Sequence, residues 1–345
     1  MSMEQKQDEE RDAGAQNEYR PSQRLWSMIV IKAEDKVFRV YSDLLSRQSS
    51  IFRDMLAMPQ SDQVEKIDGH PYVEVQDSAS DMEMFLNALC IPNYYDEAIT
   101  LWRSPFKKVP EPSHDDGRQG VRDWETEHVS YPAFLSAVVR LSIKYDVPVL
   151  RRRAVRHLTS IWPTELEGWK LEHTDSRRET GSYIFKIARE CDLRALLPSA
   201  LYIHCDINDN ADLPSPISED PADITRCAFG RQRIMGRWRR LVYETISEEC
   251  SSYSRTSCKQ ARLAWLTGNS LPRLLFDGSE AWHDYLSVPT GEWLRDVGQL
   301  CSDCQAALRQ RVDQTKKRVW SDLPVFFHLP SWNVLLEEFN AHVQG

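Results

Sequence analysis

"FRVYSDLLSRQSSIFRDML", Phe38 to Leu56, runs a strand-like alternation through a short polar turn into two abutting helical patterns. Its residues form no catalytic pattern, yet apolar side chains fall at nearly every inward position. Phe38 and Val40 alternate as in a half-buried strand. Ser42 and Asp43 are placed to cap a short helix carrying Leu44 and Leu45. Ser49 is placed to cap a second helix, on which Phe52, Met55 and Leu56 share one face. The stretch therefore reads as a strand-to-helix corner built for packing. Phe52, Met55 and Leu56 are each expected to count as core, worth roughly 2–5 kcal/mol by the usual cost of truncation.

Upstream, "LWSMIVIKAEDKVFRV" holds two apolar segments, Leu25–Ile31 and Val37–Val40, about the polar turn "KAEDK", which predicts a hairpin. Downstream, "YVEV" predicts a short strand. "SDME", Ser80 to Glu83, has the form of a capping box before a helix with Met82, Phe85, Leu86 and Leu89 inward. Periodicity is lost from Ile91 to Ser130, where "RSPFKKVPEPSHDDGRQG" has the content of a long surface loop. It returns with Phe134, Val138, Leu141 and Tyr145 as one stripe. Pro148 then opens a helix striped by Leu150, Ala154, Leu158 and Trp162.

This order resembles a BTB/POZ domain. The residues that carry the likeness are Phe38, Val40, Tyr41, Leu44, Leu45, Ser49, Phe52 and Met55, with Tyr41 standing where the family usually has His. The stretches "DGHPYVEVQDSASDMEMFLNAL", "RLSIKYDVPVLRRRAVRHL" and "ARECDLRALLPSALY" are similar to a subgroup of mushroom-type fungal (basidiomycete) BTB proteins. The likeness covers Leu25 to Tyr202 and, more loosely, "RVWSDLPVFFHLPSW". It implies an α+β fold: a BTB/POZ-like small sheet covered by helices over 25–162, with an insertion at about 91–130. Residues 1–24, which lack the apolar side chains to offset ordering entropy, read as a disordered tail before it, and 163–345 as a mostly helical C-terminal region after it. It also implies a non-enzymatic protein–protein interaction module, binding other proteins, a second copy of itself or a cullin scaffold as a ubiquitin-ligase substrate adaptor. The cullin-contact pattern of that family is matched neither by Val64-Glu65-Lys66 nor by Ile67-Asp68-Gly69.

The whole chain has 345 residues, 41% of them hydrophobic and 28% charged, enough for a sizeable core. Its net charge of −9 argues against a nucleic-acid partner. No apolar run is long enough to span a bilayer, and the polar start has no signal-peptide form. These features predict an intracellular protein, cytoplasmic or nuclear, whose eight cysteines are reduced.

Chemistry-bearing patterns are few. Cys301 and Cys304 form "CSDC", and Cys250 and Cys258 lie upstream in "ECSSYSRTSC". Two thiolate pairs could hold a structural zinc ion tetrahedrally, making the C-terminal half a metal-dependent regulator. The alternative is that "LCSDCQAAL" is a helical segment with its thiols packed as small hydrophobes. Cys90, Cys191, Cys205 and Cys227 stand isolated. Arginines cluster around apolar stripes in "LRRRAVRHL" and "RCAFGRQRIMGRWRRL", where pairing with carboxylates is the expectation and phosphate contact the alternative. No nucleophile elbow, dinucleotide fingerprint, P-loop or HExxH is present. "EEFNAH" and "WETEH" bring acids near His without metal-ligand spacing. Trp238, Trp265, Trp282, Trp293, Trp320 and Trp332 are expected to be helix-packing core.

Overall fold

Ile29, Val30 and Ile31 are consecutive apolar residues, a pattern that suits a strand covered on both faces. In the computed structural model they lie in β1 (Met28–Ala33), all three buried. The structure describes residues 27–58, 66–103, 131–169, 174–205, 221–250, 255–267, 275–276, 284–294 and 300–344. The tail 1–24 and residues 104–130 of the expected loop fall outside these, as does Trp282.

β1 is flanked by β2 (Lys36–Tyr41), antiparallel with Ile31 opposite Phe38, and by β4 (His70–Val75), parallel with Ile31 opposite Val73. β3 (Lys66–Ile67) completes the order β2-β1-β4-β3. The fold is α+β, with this small sheet at its N-terminal end and helices after it. The first hairpin turns at Glu34, whose φ of 53° occupies the left-handed region that tight turns require.

The corner forms as expected, with one change of register. α1 (Ser42–Gln48) takes Ser42 as its first residue, not its cap, and the Ser42 amide and hydroxyl both donate to the Ser27 carbonyl. α2 (Ser50–Ala57) is capped by Ser49, whose Oγ accepts from the Phe52 amide at 3.0 Å. The corner docks on the turn after α5 (Tyr131–Lys144). The Ser49 hydroxyl donates to the Tyr145 carbonyl and that of Ser50 to the Asp146 carboxylate. Phe52 stacks on Tyr145 with ring centroids 4.6 Å apart. The Tyr145 hydroxyl in turn donates to Asp77. Asp146, at φ 46°, lets the chain reverse into α6 (Pro148–Ile161).

Two other expectations are corrected. α3 (Ala79–Cys90) is capped by Ser78, not Ser80: Ser78 Oγ accepts from the Asp81 amide, and Glu34 reaches across to take the Ala79 amide. Helical periodicity also does not stop at Ile91. α4 (Tyr94–Arg103) buries Tyr95, Ala98 and Ile99 at i, i+3, i+4 spacing against Phe134 and its neighbours.

Both predicted stripes are buried, on α5 with Tyr145 and on α6 with Trp162. Among the described residues, the α-helices of the C-terminal region are α7 (Thr174–Glu190), α8 (Leu197–His204), α9 (Pro221–Ser247), α10 (Arg255–Thr267), the single turn α11 (Thr290–Trp293), α12 (Ser302–Phe326) and α13 (Trp332–Gln344). Its core is continuous with that of the first 162 residues. The Arg177 guanidinium is buried, donates to the Ile161 carbonyl and lies 3.8 Å from the Trp169 ring, and Trp169 packs edge-on to Tyr202. Helix α13 returns to lie against α6. Trp238, Trp265, Trp293 and Trp320 are core, and Trp332 is partly buried in a stack on Trp320.

Phe52 is buried, while Met55 and Leu56 are only partly covered. Phe52→Ala is therefore expected to cost about 3–5 kcal/mol in urea unfolding, and Met55→Ala about 1 kcal/mol; equal costs would contradict this packing. Gly230 on α9 faces the Phe327 ring so closely that a Cβ would collide with it. Gly230→Ala should destabilise by roughly 1–3 kcal/mol through overpacking, although alanine favours a helix interior by about 1 kcal/mol. A raised melting temperature for that variant would show α9 and Phe327 to be less closely packed.

Candidate metal centre

Cys250 follows the end of α9 by three residues, Cys258 sits in the first turn of α10, and Cys301 and Cys304 straddle the start of α12. Packing of these helices brings the four sulfurs within 4.8 Å of one another. Cys250 Sγ and Cys301 Sγ are 3.8 Å apart. A zinc–sulfur bond of about 2.3 Å sets the edge of a tetrahedral thiolate site at about 3.8 Å. Cys250, Cys258 and Cys304 are buried and Cys301 is partly exposed. None of the eight cysteines is in a disulfide.

The backbone is arranged for thiolate at this point. Cys301 is the residue before α12, so its own amide and those of the first helical turn lack intrahelical acceptors. The Cys301 amide donates to Cys258 Sγ at 3.3 Å. The helix start adds positive potential beside Cys304. Without an ion, burial and then the neighbouring Cys301 and Cys250 thiols push the Cys304 thiol up to about 12. At Cys258 the Cys301 amide is the strongest influence and lowers the pKa, but burial and the Cys301 and Cys250 thiols outweigh it and leave the pKa raised. A metal ion reverses this balance, because a coordinating thiol is deprotonated outright.

Among the described residues, one charged side chain touches the cluster. Arg262, only 3% exposed, points Nη2 at Cys304 Sγ at 3.0 Å and donates through Nη1 to the Glu248 carbonyl. The Glu248 carboxylate lies 3.6 Å from Arg262 and 2.6 Å from Arg311. Sequence reasoning missed Arg262. Its one signal was position: it follows Cys258 by four residues, on the same helical face.

The remaining candidates do not assemble. Cys205 and Cys227, expected to be isolated, meet between α8 and α9, where each thiol donates to a backbone carbonyl at 3.6–3.7 Å. Cys191 is buried and Cys90 half-buried, and burial raises both thiols. The α9 arginines are engaged: Arg226 with Asp223, Arg237 with Asp322, Arg240 with Glu244, Arg233 and Arg239 with backbone carbonyls. On α6, Arg153 pairs with Asp96 and buried Arg151 with Asp146. In "EEFNAH", Glu338 pairs with Arg194 at 2.7 Å. "WETEH" lies outside the described residues. Among the described residues the four cysteines are the one group suited to a metal ion, and no helix is long and apolar enough to cross a membrane.

No protein-family model, no curated protein and no solved structure matches this chain.

Proposed function

We propose that this chain is a non-enzymatic protein-binding module of BTB/POZ type whose helical C-terminal half is organised by a structural zinc ion. The observation that carries the reading is the convergence of four sulfurs at the spacing of a tetrahedral thiolate site. Four protein ligands close such a site, leaving no position for a substrate or an activated water. A closed site serves as a cross-link, not as a reaction centre. The soft, all-sulfur donor set selects zinc over the hard oxygen-seeking cations.

The protein-binding half of the reading is supported by the element order at the N-terminal end. The residues that carry the BTB/POZ resemblance span the second strand of a hairpin and two short helices, after which come a strand parallel to the first and then longer helices. The exposed side chains of that region add apolar surface: Val37 and Tyr41 on edge strand β2, and Ile51 on α2. The partner is another protein or a second copy of this chain.

Metal analysis of the full chain, purified without chelator or added metal, should give one zinc per chain, falling below about one tenth in Cys301→Ser and Cys304→Ser. A strong chelator should lower the melting temperature of the wild-type chain and leave that of the serine variants unchanged. A metal-free wild-type protein with the same melting temperature before and after chelation would refute the zinc centre. Affinity purification from the native cell, followed by mass spectrometry and by the solution mass of the purified chain, tests the binding half. A monomer that captures no protein reproducibly would refute it.

A further inference from the structure

We infer that Arg262 is a working part of the metal centre: a charge-compensating donor to the Cys304 thiolate that sets affinity for a soft divalent ion. The inference rests on the zinc reading above. A divalent ion held by four thiolates leaves two formal negative charges in a largely buried place. Such a charge needs a nearby cation or N–H donors to replace the water it has lost. The structure supplies both within reach of the sulfurs. The Cys301 amide serves Cys258, and the Arg262 guanidinium serves Cys304 at 3.0 Å.

Arg262 is among the few charged residues buried in this protein. A guanidinium stays ionised in proteins, so its burial requires acceptors. Glu248 does not fully meet that need: its carboxylate is 3.6 Å from Arg262 and is held more closely by Arg311, at 2.6 Å. Among the described residues two acceptors remain, the Glu248 carbonyl just past the end of α9 and Cys304 Sγ. A neutral thiol is a weak acceptor, whereas a metal-bound thiolate is a charged one. A metal-bound Cys304 thus resolves the buried cation, and Arg262 resolves the buried anionic site. The same side chain joins the exit of α9, the face of α10 and the first turn of α12, the three places from which the ligands come. Arg262 is therefore a positioning residue as well as a counter-charge, and its planar fork suits it to bridging a carbonyl and a sulfur at once.

The test is competition between the zinc-loaded full chain and a chromophoric zinc chelator, for wild type, Arg262→Met, Arg262→Lys and the control Arg311→Met. Partners outside the ligand set typically change metal affinity 10–100-fold, and Arg262→Met is expected to lose that much. Arg262→Lys keeps the charge without the fork and should fall between, at roughly 3–10-fold. Arg311→Met removes the other partner of Glu248 and should stay within about 3-fold. The cobalt-loaded proteins add a readout that general destabilisation would not move: the sulfur-to-cobalt charge-transfer band should shift in Arg262→Met and not in Arg311→Met. Wild-type affinity and an unshifted band in Arg262→Met overturn the inference while leaving the zinc centre standing. A wild-type chain that binds neither zinc nor cobalt overturns both. If Arg262→Met is unfolded by circular dichroism, Arg262→Lys decides, and wild-type affinity in it overturns the inference.

Discussion

Four sulfur atoms have to meet, and three separate stretches of chain have to be brought together for them to do so. Cys250 lies just past α9, Cys258 on α10, and Cys301 and Cys304 at the head of α12. Their meeting constrains the C-terminal region because α9 and α12 are its longest helices and pack along one another. Where the sulfurs gather, the exit of one helix and the start of the other are held together, and Arg311 adds to the join by donating to the Glu244 carbonyl in the last turn of α9. Gly230 and Phe327 make a close contact far along the same pair. Between these two ends Ile234, Trp238 and Leu241 are buried, and the Trp238 ring packs against those of Tyr285 and Trp293.

The N-terminal corner was largely legible in sequence because its determinants are local. Ser49 caps three residues ahead of itself, and the Phe52 side chain is placed by helical spacing. The partner of that corner was not legible. Tyr145 and Asp146 lie about a hundred positions away and receive two serine hydroxyls and a phenyl ring, and no spacing rule joins such distant residues. The cap of α3 was misplaced for the same reason. Ser80 and Glu83 satisfy the local motif, but Glu34, from the hairpin turn, takes the Ala79 amide and shifts the helix start toward Ser78. Helix α4 escaped notice because it covers the core with only Tyr95, Ala98 and Ile99 and leads into a charged, Pro-bearing stretch.

The candidate site divides in the same way. The CxxC pair is readable because a helix start turns both sulfurs toward one point. That Cys250 and Cys258 would join it followed from counting thiols, since seven intervening residues match no standard knuckle. Arg262 could not be nominated from spacing, because what distinguishes it from the chain's other arginines is burial against a sulfur. The arginine-rich stretch of α9 shows the converse. It stands out in sequence as a cationic block, and folding disperses it among carboxylates and carbonyls until little concentrated charge remains.

Cys258 and Cys301, joined by an amide-to-sulfur hydrogen bond, are 43 positions apart, and Cys250 and Cys301 are 51 apart. A metal ion held by the four sulfurs would join points so distant, removing a large share of the configurations open to the unfolded polymer, with a gain that grows only logarithmically with separation. Each doubling of a closed loop changes its closure cost by about 0.6 kcal/mol. The chain between the ligands can therefore lengthen, shorten or change composition over evolutionary time with small thermodynamic consequence, provided the anchors keep their positions. Relatives that kept such a centre would hold Arg262 four residues after Cys258 and the Cys301–Cys304 spacing fixed, while the stretches between Cys250, Cys258 and Cys301 varied.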